Sequence, residues 1–199
     1  MLTLRKVAIT GGLSSGKSSV CQIFQELGAY IVSADEIVHR LLAPQSPVSE
    51  KIIELLGQEI VDGTRFNREK IANKVFKNKE LLKALEQILH PAVLDEVESQ
   101  YKQVANKNFP LFVAEIPLLY EIESQHLFDT VVVVTADTSL CKKRFLEKTN
   151  HSTQEFEARM THQLPLSEKQ ANADYTIVNN GTWKDLKTQT QTLFQQLTK

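Results

Sequence analysis

Cysteine is nearly absent: only Cys21 and Cys141 occur in 199 residues, with no ligand-like spacing. That excludes a disulfide framework and argues against a zinc site, and it points to a reducing, cytoplasmic setting. Long apolar runs are missing as well. No stretch approaches the ~20 residues needed to cross a bilayer, so no membrane association is expected. The basic pair Arg5-Lys6 leads into an apolar run that is short for a secretory leader and reads as a first strand. Neither charge sign dominates: 23 basic and 24 acidic residues give a formal net charge of −1. A chain-wide attraction to nucleic acid is therefore excluded, while a local basic patch could still bind phosphate. No repeat or low-complexity tract is visible. Glycine is also scarce, with seven residues, yet Gly11, Gly12 and Gly16 fall within one short stretch.

What is present is an alternation of short apolar segments with helical periodicity. Leu4–Thr10 reads as a buried, parallel-type strand. Val20, Ile23, Phe24 and Leu27 then share one helix face, and Ala29–Val32 makes a second strand ending at Ser33-Ala34-Asp35. Residues 36–108 are rich in helix formers and poor in strand signals. Asn67 reads as an N-cap, with Phe66 and Ile71 spaced as a hydrophobic staple. Leu81, Leu82, Leu85, Ile88 and Leu89 mark an amphipathic helix that should stop near His90-Pro91. Val93, Val97, Tyr101 and Val104 resume helical spacing. Leu111–Ile116 and Thr130–Thr135 read as further buried strands. Residues 137–170 look helical and partly basic, with a Ser152/Glu155 capping box. Tyr175–Val178 is the last strand. Thr182 should cap a final helix that turns Trp183, Leu186, Leu193 and Leu197 inward. The expected architecture is α/β: one domain with a doubly wound, mainly parallel five-stranded sheet. Its core covers about 1–35, 109–136 and 171–199, with a helical insertion at about 36–108 and a helical lid at about 137–170.

The glycine-rich stretch "AITGGLSSGKSSV" lies between the first strand and the first helix. Gly11-x-x-x-x-Gly16-Lys17-Ser18 satisfies the P-loop pattern, so the fold is expected to be of the P-loop NTPase type. Glycines let successive backbone N–H groups point at phosphate oxygens. The helix starting near Lys17 adds its positive end. Lys17 supplies a mobile cation for the β- and γ-phosphates, and the Ser18 hydroxyl can hold Mg²⁺. Gly11, Gly12, Leu13, Ser14, Ser15, Gly16, Lys17, Ser18 and Ser19 are thus the expected ATP cradle. The Asn-Lys-x-Asp motif that reads guanine in nucleotide switches is absent. A basic segment after the fourth strand suits a kinase lid, since phosphoryl transfer needs water kept out.

Six stretches carry a resemblance to the dephospho-CoA kinase family, in order and nearly end to end. "TGGLSSGKSSV" resembles the family's Thr-Gly-Gly-Ile-Gly-Ser-Gly-Lys-Ser opening, and "VSADEIVHRLL" its Asp-Ala-Asp segment. "FNREKIANKVF" resembles its arginine before an amphipathic helix, and "ILHPAV" and "IPLLYE" resemble two further signatures. "ARMTHQLPLSEKQANADYTIVNNG" resembles its closing Arg…Gln…Lys…Ala-Asp…Asn-x-Gly block. The resemblance implies transfer of a phosphoryl group from ATP to the ribose 3′-hydroxyl of dephospho-CoA. Three departures stand out: Ser33 replaces the first Asp of Asp-Ala-Asp, Ser14 stands where glycine is common, and Lys148 replaces a lid arginine.

The resemblance also assigns roles, each with a plainer alternative. Asp35 matches the family's proposed base; alone it could be an N-cap for the helix starting near Glu36. Arg144 matches a lid cation for the transferring phosphoryl; alone it could be an exposed helix arginine. Lys148, four residues on, and Arg159 share those two readings. Arg68 could pair with an acceptor phosphate by bidentate geometry. It sits in a helix first turn, where cations are mildly disfavoured. His90 is implied to contact the acceptor, or else simply ends a helix. Pro117, Leu118, Leu119, Tyr120 and Glu121 could line a cleft for the pantetheine arm, or be core. Glu115 could be the acidic partner of Mg²⁺ or an interior partner of Lys17. Asn179, Asn180 and Gly181 resemble an adenine-side loop and read equally as a turn. The expected catalytic set is Lys17, Asp35 and Arg144. The expected partner is dephospho-CoA, bound by a monomer, with an oligomer left open. Two other classes stay open: another small-molecule P-loop kinase, such as a nucleoside monophosphate kinase, and a nucleotide-dependent switch whose insertion binds a protein.

Overall fold

The computed structural model describes residues 4–75, 77–149 and 152–199. Phe76, which closes one family-like stretch, and Asn150 and His151, inside the expected lid segment, lie outside the described residues. In chain order the first elements are β1 (Lys6–Gly11), α1 (Lys17–Glu26), β2 (Tyr30–Ser33), α2 (Ala34–Leu41) and α3 (Ser49–Leu56). Next come β3 (Val61–Asp62), β4 (Arg65–Phe66), α4 (Arg68–Val75), α5 (Lys79–Val104), β5 (Phe112–Glu115) and β6 (Thr130–Thr135). The chain closes with α6 (Thr138–Lys148), α7 (Thr153–Met160), α8 (Leu166–Ala171), β7 (Tyr175–Val178) and α9 (Trp183–Leu197). It divides into two compact units, Met1–Val32 with Tyr101–Lys199, and Ser33–Gln100. The expected lid segment belongs to the first of these.

The first unit holds a five-stranded sheet in the order β2-β5-β1-β6-β7. β1 pairs in parallel with β5 on one side and β6 on the other, and β6 pairs in parallel with β7. Every residue of β1 and β6 is buried, because helices cover both faces. Val7, Ile9, Val113, Val132, Val134 and Ile177 pack against Val20, Ile23 and Phe24 of α1 and Leu186, Leu193 and Leu197 of α9. On the alternate positions, Phe112 meets the Tyr101 ring edge-on, with ring centroids 5.3 Å apart. The strand order reverses at β1. Such a reversal opens a crevice at the carboxyl ends of the strands, and the glycine-rich loop leaves β1 at that end.

The second unit contains α2, α3, α4 and most of α5, with Ile37, Leu41, Ile52, Leu56, Ile60, Phe66, Ile71, Val75, Leu85, Leu89, Val93 and Val97 buried. Asn67 Oδ1 accepts from the Lys70 N–H at 3.0 Å, capping α4, and Phe66 and Ile71 are both buried as a staple requires.

Three expectations change. Residues 61–66 form an antiparallel hairpin, β3 against β4, in a region read as poor in strands. The Asp62-Gly63 step was its sequence signal. The helix stop at His90-Pro91 is replaced by continuous α5 with Pro91 inside it. Pro91 removes one hydrogen bond to the Gln87 carbonyl. Both residues are exposed, so water can satisfy that carbonyl. The buried positions Leu85, Leu89, Val93 and Val97 stay in phase through the proline, and their burial outweighs the local cost. Trp183, expected inward, is 49% exposed. It is the first residue of α9, and side chains on a helix lean toward its N-terminus. Its ring therefore lies beyond the last turn that reaches the core.

Candidate active site

β1 ends at Gly11 and α1 begins at Lys17, so residues 12–16 make the connecting loop. A Cβ on Gly11 would collide with the Val134 carbonyl of β6, so only glycine lets the loop leave the sheet there. Gly16 holds a left-handed φ of +102°, and a Cβ would collide with the Asn179 amide. Ser14, which replaces a common family glycine, has φ +55°. A non-glycine residue there costs roughly 1 kcal/mol. α1 has no side-chain N-cap and no acidic residue in its first turn, so its own residues do not neutralise its positive end. Leu13 packs its side chain on the small cluster of Ala136, Cys141, Phe145 and Phe156.

Lys17 is 8% exposed. Its Nζ donates to the Gly12 carbonyl at 2.9 Å and the Gly11 carbonyl at 3.4 Å, holding the cation across the loop. Ser18 Oγ donates to Glu115 Oε1 at 2.9 Å. The Cys21 thiol, one turn further along α1, is pushed well above its ordinary value, first by burial and then by the charge of Glu115 and a hydrogen bond to it. It therefore stays protonated and donates to the carboxylate. A hydroxyl and a carboxylate side by side are the hard oxygen donors Mg²⁺ prefers. Among the described residues no cluster of three or more His, Cys, Asp or Glu could hold a metal. A divalent ion here would depend on nucleotide phosphates and water for its remaining ligands.

The loop is braced from β7's far end. Asn179 Nδ2 donates to the Ser15 carbonyl at 2.8 Å, and the Asn179 N–H donates to the Thr135 carbonyl at 2.7 Å. The side chain expected beside adenine is thus committed to the loop. Asn180 exchanges hydrogen bonds with Asp137, at 2.8 Å each way. Arg144 Nη2 donates to the Asn179 carbonyl at 3.0 Å, while its Nη1 is buried without a hydrogen-bond partner. An orphaned guanidinium donor is a strong attractor for an anion. Lys148 is exposed. Arg159 lies over the Phe145 ring, 5.4 Å from its centroid.

The Pro117–Glu121 segment departs from its expected cleft role. Leu119 is 0% exposed and belongs to the core, and Tyr120 is buried too. Pro117 and Leu118 remain half-buried. Glu121 is held inside: its Oε1 lies 2.6 Å from Lys169 Nζ and accepts from the Leu164 N–H at 2.8 Å. Lys169 itself is 1% exposed and also reaches the Pro117 carbonyl at 3.4 Å. Tyr120 Oη donates to the Asn172 carbonyl at 2.8 Å, so the segment is tied to the start and the end of α8. Lys169 also lines a cleft of about 260 Å³ with Gly12, Leu13, Cys141 and residues 163–166. Lys169→Met leaves Glu121 as an uncompensated buried charge and should lower unfolding free energy by about 3–5 kcal/mol. Adding Glu121→Leu should restore most of it, as read by urea denaturation. A single variant within 1 kcal/mol of the native chain, an order-of-magnitude threshold, would show that the pair does not stabilise the fold.

In the second unit, Ser33 and not Asp35 caps α2: Ser33 Oγ accepts from the Glu36 N–H at 3.4 Å. Asp35 lies in the exposed first turn, so the capping alternative for it falls. Arg68 reaches His39, with Nη1 2.7 Å from Nδ1 and Nη2 donating to the carbonyl at 3.1 Å. His90 is half-buried inside α5. Burial, opposed by Glu86, holds its imidazole below the ordinary histidine value.

Sequence reading missed Cys21, Lys169 and His39. Cys21 could have been flagged by its place one turn after Ser18. Lys169 lies inside the closing family-like block, and nothing local pairs it with Glu121. Among the described residues no helix is long and apolar enough to cross a membrane.

The chain is similar to known proteins in sequence and in fold. The family model described as dephospho-CoA kinase matches residues 5–185. The dephospho-CoA kinase of Protochlamydia amoebophila is 52% identical over 199 residues, covering 99% of this chain and 98% of that one. A crystal structure from Thermus thermophilus superposes with TM-score 0.81 at 29% identity, covering 98% of each chain. Dephospho-CoA kinase from Campylobacter jejuni gives TM-score 0.66 at 26% identity, covering 96% of this chain and 97% of that one.

Proposed function

The chain belongs to the dephospho-CoA kinase family, and from that premise we propose that it transfers the γ-phosphoryl group of ATP to the ribose 3′-hydroxyl of dephospho-CoA. The products are CoA and ADP, and the step is the last in coenzyme A formation. The observation that carries this reading is the Gly11–Ser18 loop, with its buried lysine and its Ser18–Glu115 pair.

Phosphoryl transfer leaves little covalent chemistry to the protein, so position and charge matter most. Backbone N–H groups of the loop and the open end of α1 would hold the phosphates. Lys17 would give up the Gly11 and Gly12 carbonyls and neutralise charge on the terminal phosphates. Arg144 would offer its unpartnered Nη1 to the same anion. Ser18 and Glu115 fit the Mg²⁺ that accompanies the nucleotide, whose positive charge would offset that of the phosphates. Gly181 and the loop around it would border the adenine. On the acceptor side, Asp35 would orient the 3′-hydroxyl and take its proton. Arg68 and His90 would bind the acceptor, with Pro117 and Leu118 available to its apolar arm. A reducing, cytoplasmic setting suits both buried free thiols.

The test is a coupled ADP-release assay with ATP, Mg²⁺ and a panel of acceptors. Saturable phosphorylation of dephospho-CoA, with AMP and UMP inert, is the expected result. Preference for either nucleoside monophosphate would move the chain to a different kinase reaction.

A further inference from the structure

The second unit carries a basic cleft whose position along α2 measures a distance. Asp35 and His39 stand four residues apart on α2, so both lie on one helix face, about 6 Å apart along the axis. Around His39 opens a cleft of about 430 Å³, lined by His39, Leu42, Ala43, Arg65, Phe66 and Arg68. Its floor is organised by Arg68, which meets both Nδ1 and the carbonyl of His39, at 2.7 and 3.1 Å. A guanidinium has no acceptor, so Nδ1 must accept and the ring proton lies on Nε2. The polar side chains facing the cleft are then donors: His39 Nε2–H, the remaining Arg68 N–H groups and the Arg65 guanidinium. No carboxylate is among the lining residues. Two like charges gathered on one cleft repel, and Arg68 sits in the first turn of α4, where the helix dipole adds to the positive potential. Glu69 in the same turn and Asp62, across the hairpin from Arg65, lie outside the lining and offset only part of it. A dianion would relieve both costs, and guanidinium groups suit phosphate oxygens.

In a nucleotide, five single bonds link the 3′-oxygen to the 5′-phosphorus, a span of roughly 5–6 Å at bond lengths near 1.5 Å. That span matches one turn of α2. We infer that the His39, Arg65 and Arg68 cleft receives the 5′-diphosphate of the acceptor while Asp35 meets the 3′-hydroxyl of the same ribose. The inference rests on the function proposed above and adds His39 and Arg65 as acceptor-binding residues. Leu42, Ala43 and Phe66 offer an apolar wall for the arm beyond the diphosphate.

Steady-state kinetics of Arg65→Gln and His39→Ala test it, with dephospho-CoA and with adenosine, an acceptor that has the 3′-hydroxyl and no phosphate. Each variant should raise KM for dephospho-CoA roughly tenfold or more, as loss of a charge-assisted contact predicts. KM for ATP and kcat/KM for adenosine should stay unchanged, and Arg65→Lys should recover part of the loss. Calorimetric titration of each variant with dephospho-CoA reads the same weakening without turnover, and circular dichroism confirms folding. KM for dephospho-CoA within about twofold of native in both variants overturns the diphosphate assignment, as does an equal loss with adenosine. A native chain that leaves dephospho-CoA unphosphorylated removes the proposed function itself and this assignment with it.

Discussion

The Lys17→Met chain should fold but turn over dephospho-CoA about 10³-fold more slowly than the native one, the loss expected when one electrostatic contact to the moving charge is removed. Methionine keeps most of the side chain's length and packing, so the change isolates the ammonium. In the native chain Lys17 is 8% exposed and its ammonium is held by the Gly11 and Gly12 carbonyls. Bound nucleotide would draw it from these carbonyls to the phosphates, so its charge is in place before transfer begins. Two carbonyls lose a donor in the variant, which costs about 1 kcal/mol of stability. Activity and stability should thus separate: a large fall in kcat with a small fall in denaturation midpoint. Turnover within about tenfold of native would remove Lys17 from the catalytic set.

Asp35→Asn should lower kcat by about 10²–10⁴-fold, the range for loss of a general base, and leave ATP binding intact. Asparagine keeps the shape and removes the proton acceptor. The prediction is sharp because the cap of α2 is Ser33, so the helix does not need Asp35 to start. Only a favourable dipole interaction is lost, about 0.3–1 kcal/mol. Single-turnover measurement of phosphoryl transfer, alongside titration with ATP, separates the two effects. Near-native transfer would leave Asp35 as a helix-end charge alone. The departure at Ser33 also acquires a reason. Its hydroxyl accepts the Glu36 N–H, a duty that either aspartate or serine can perform.

Much of the frame could be read from residue order. Thr130–Thr135 falls where its apolar run places it, because a strand buried on both faces must be apolar throughout; Tyr175–Val178 pairs only with β6 and buries Ile177 alone. Capping residues Asn67, Ser152 and Thr182 do what their types suggest, since capping involves neighbours within three positions. Pro91 misled because a proline's cost depends on whether its orphaned carbonyl meets water, and that depends on which side of the helix is buried. Trp183 misled because periodicity assigns a face without saying where the core ends.

By itself the sequence determined the phosphate-binding loop, the parallel sheet and the membership of the chain, since spacing, composition and motif order are local and survive without coordinates. Tertiary structure alone decided which groups are already engaged. It joined Lys169 to Glu121, 48 positions apart by subtraction of their numbers, gave Asn179 to Ser15, and left one Arg144 nitrogen without an acceptor. Such pairings arise where distant segments meet in a dehydrated interior. There an unpaired polar atom is costly, so most find a partner, and no pattern along the chain specifies which one.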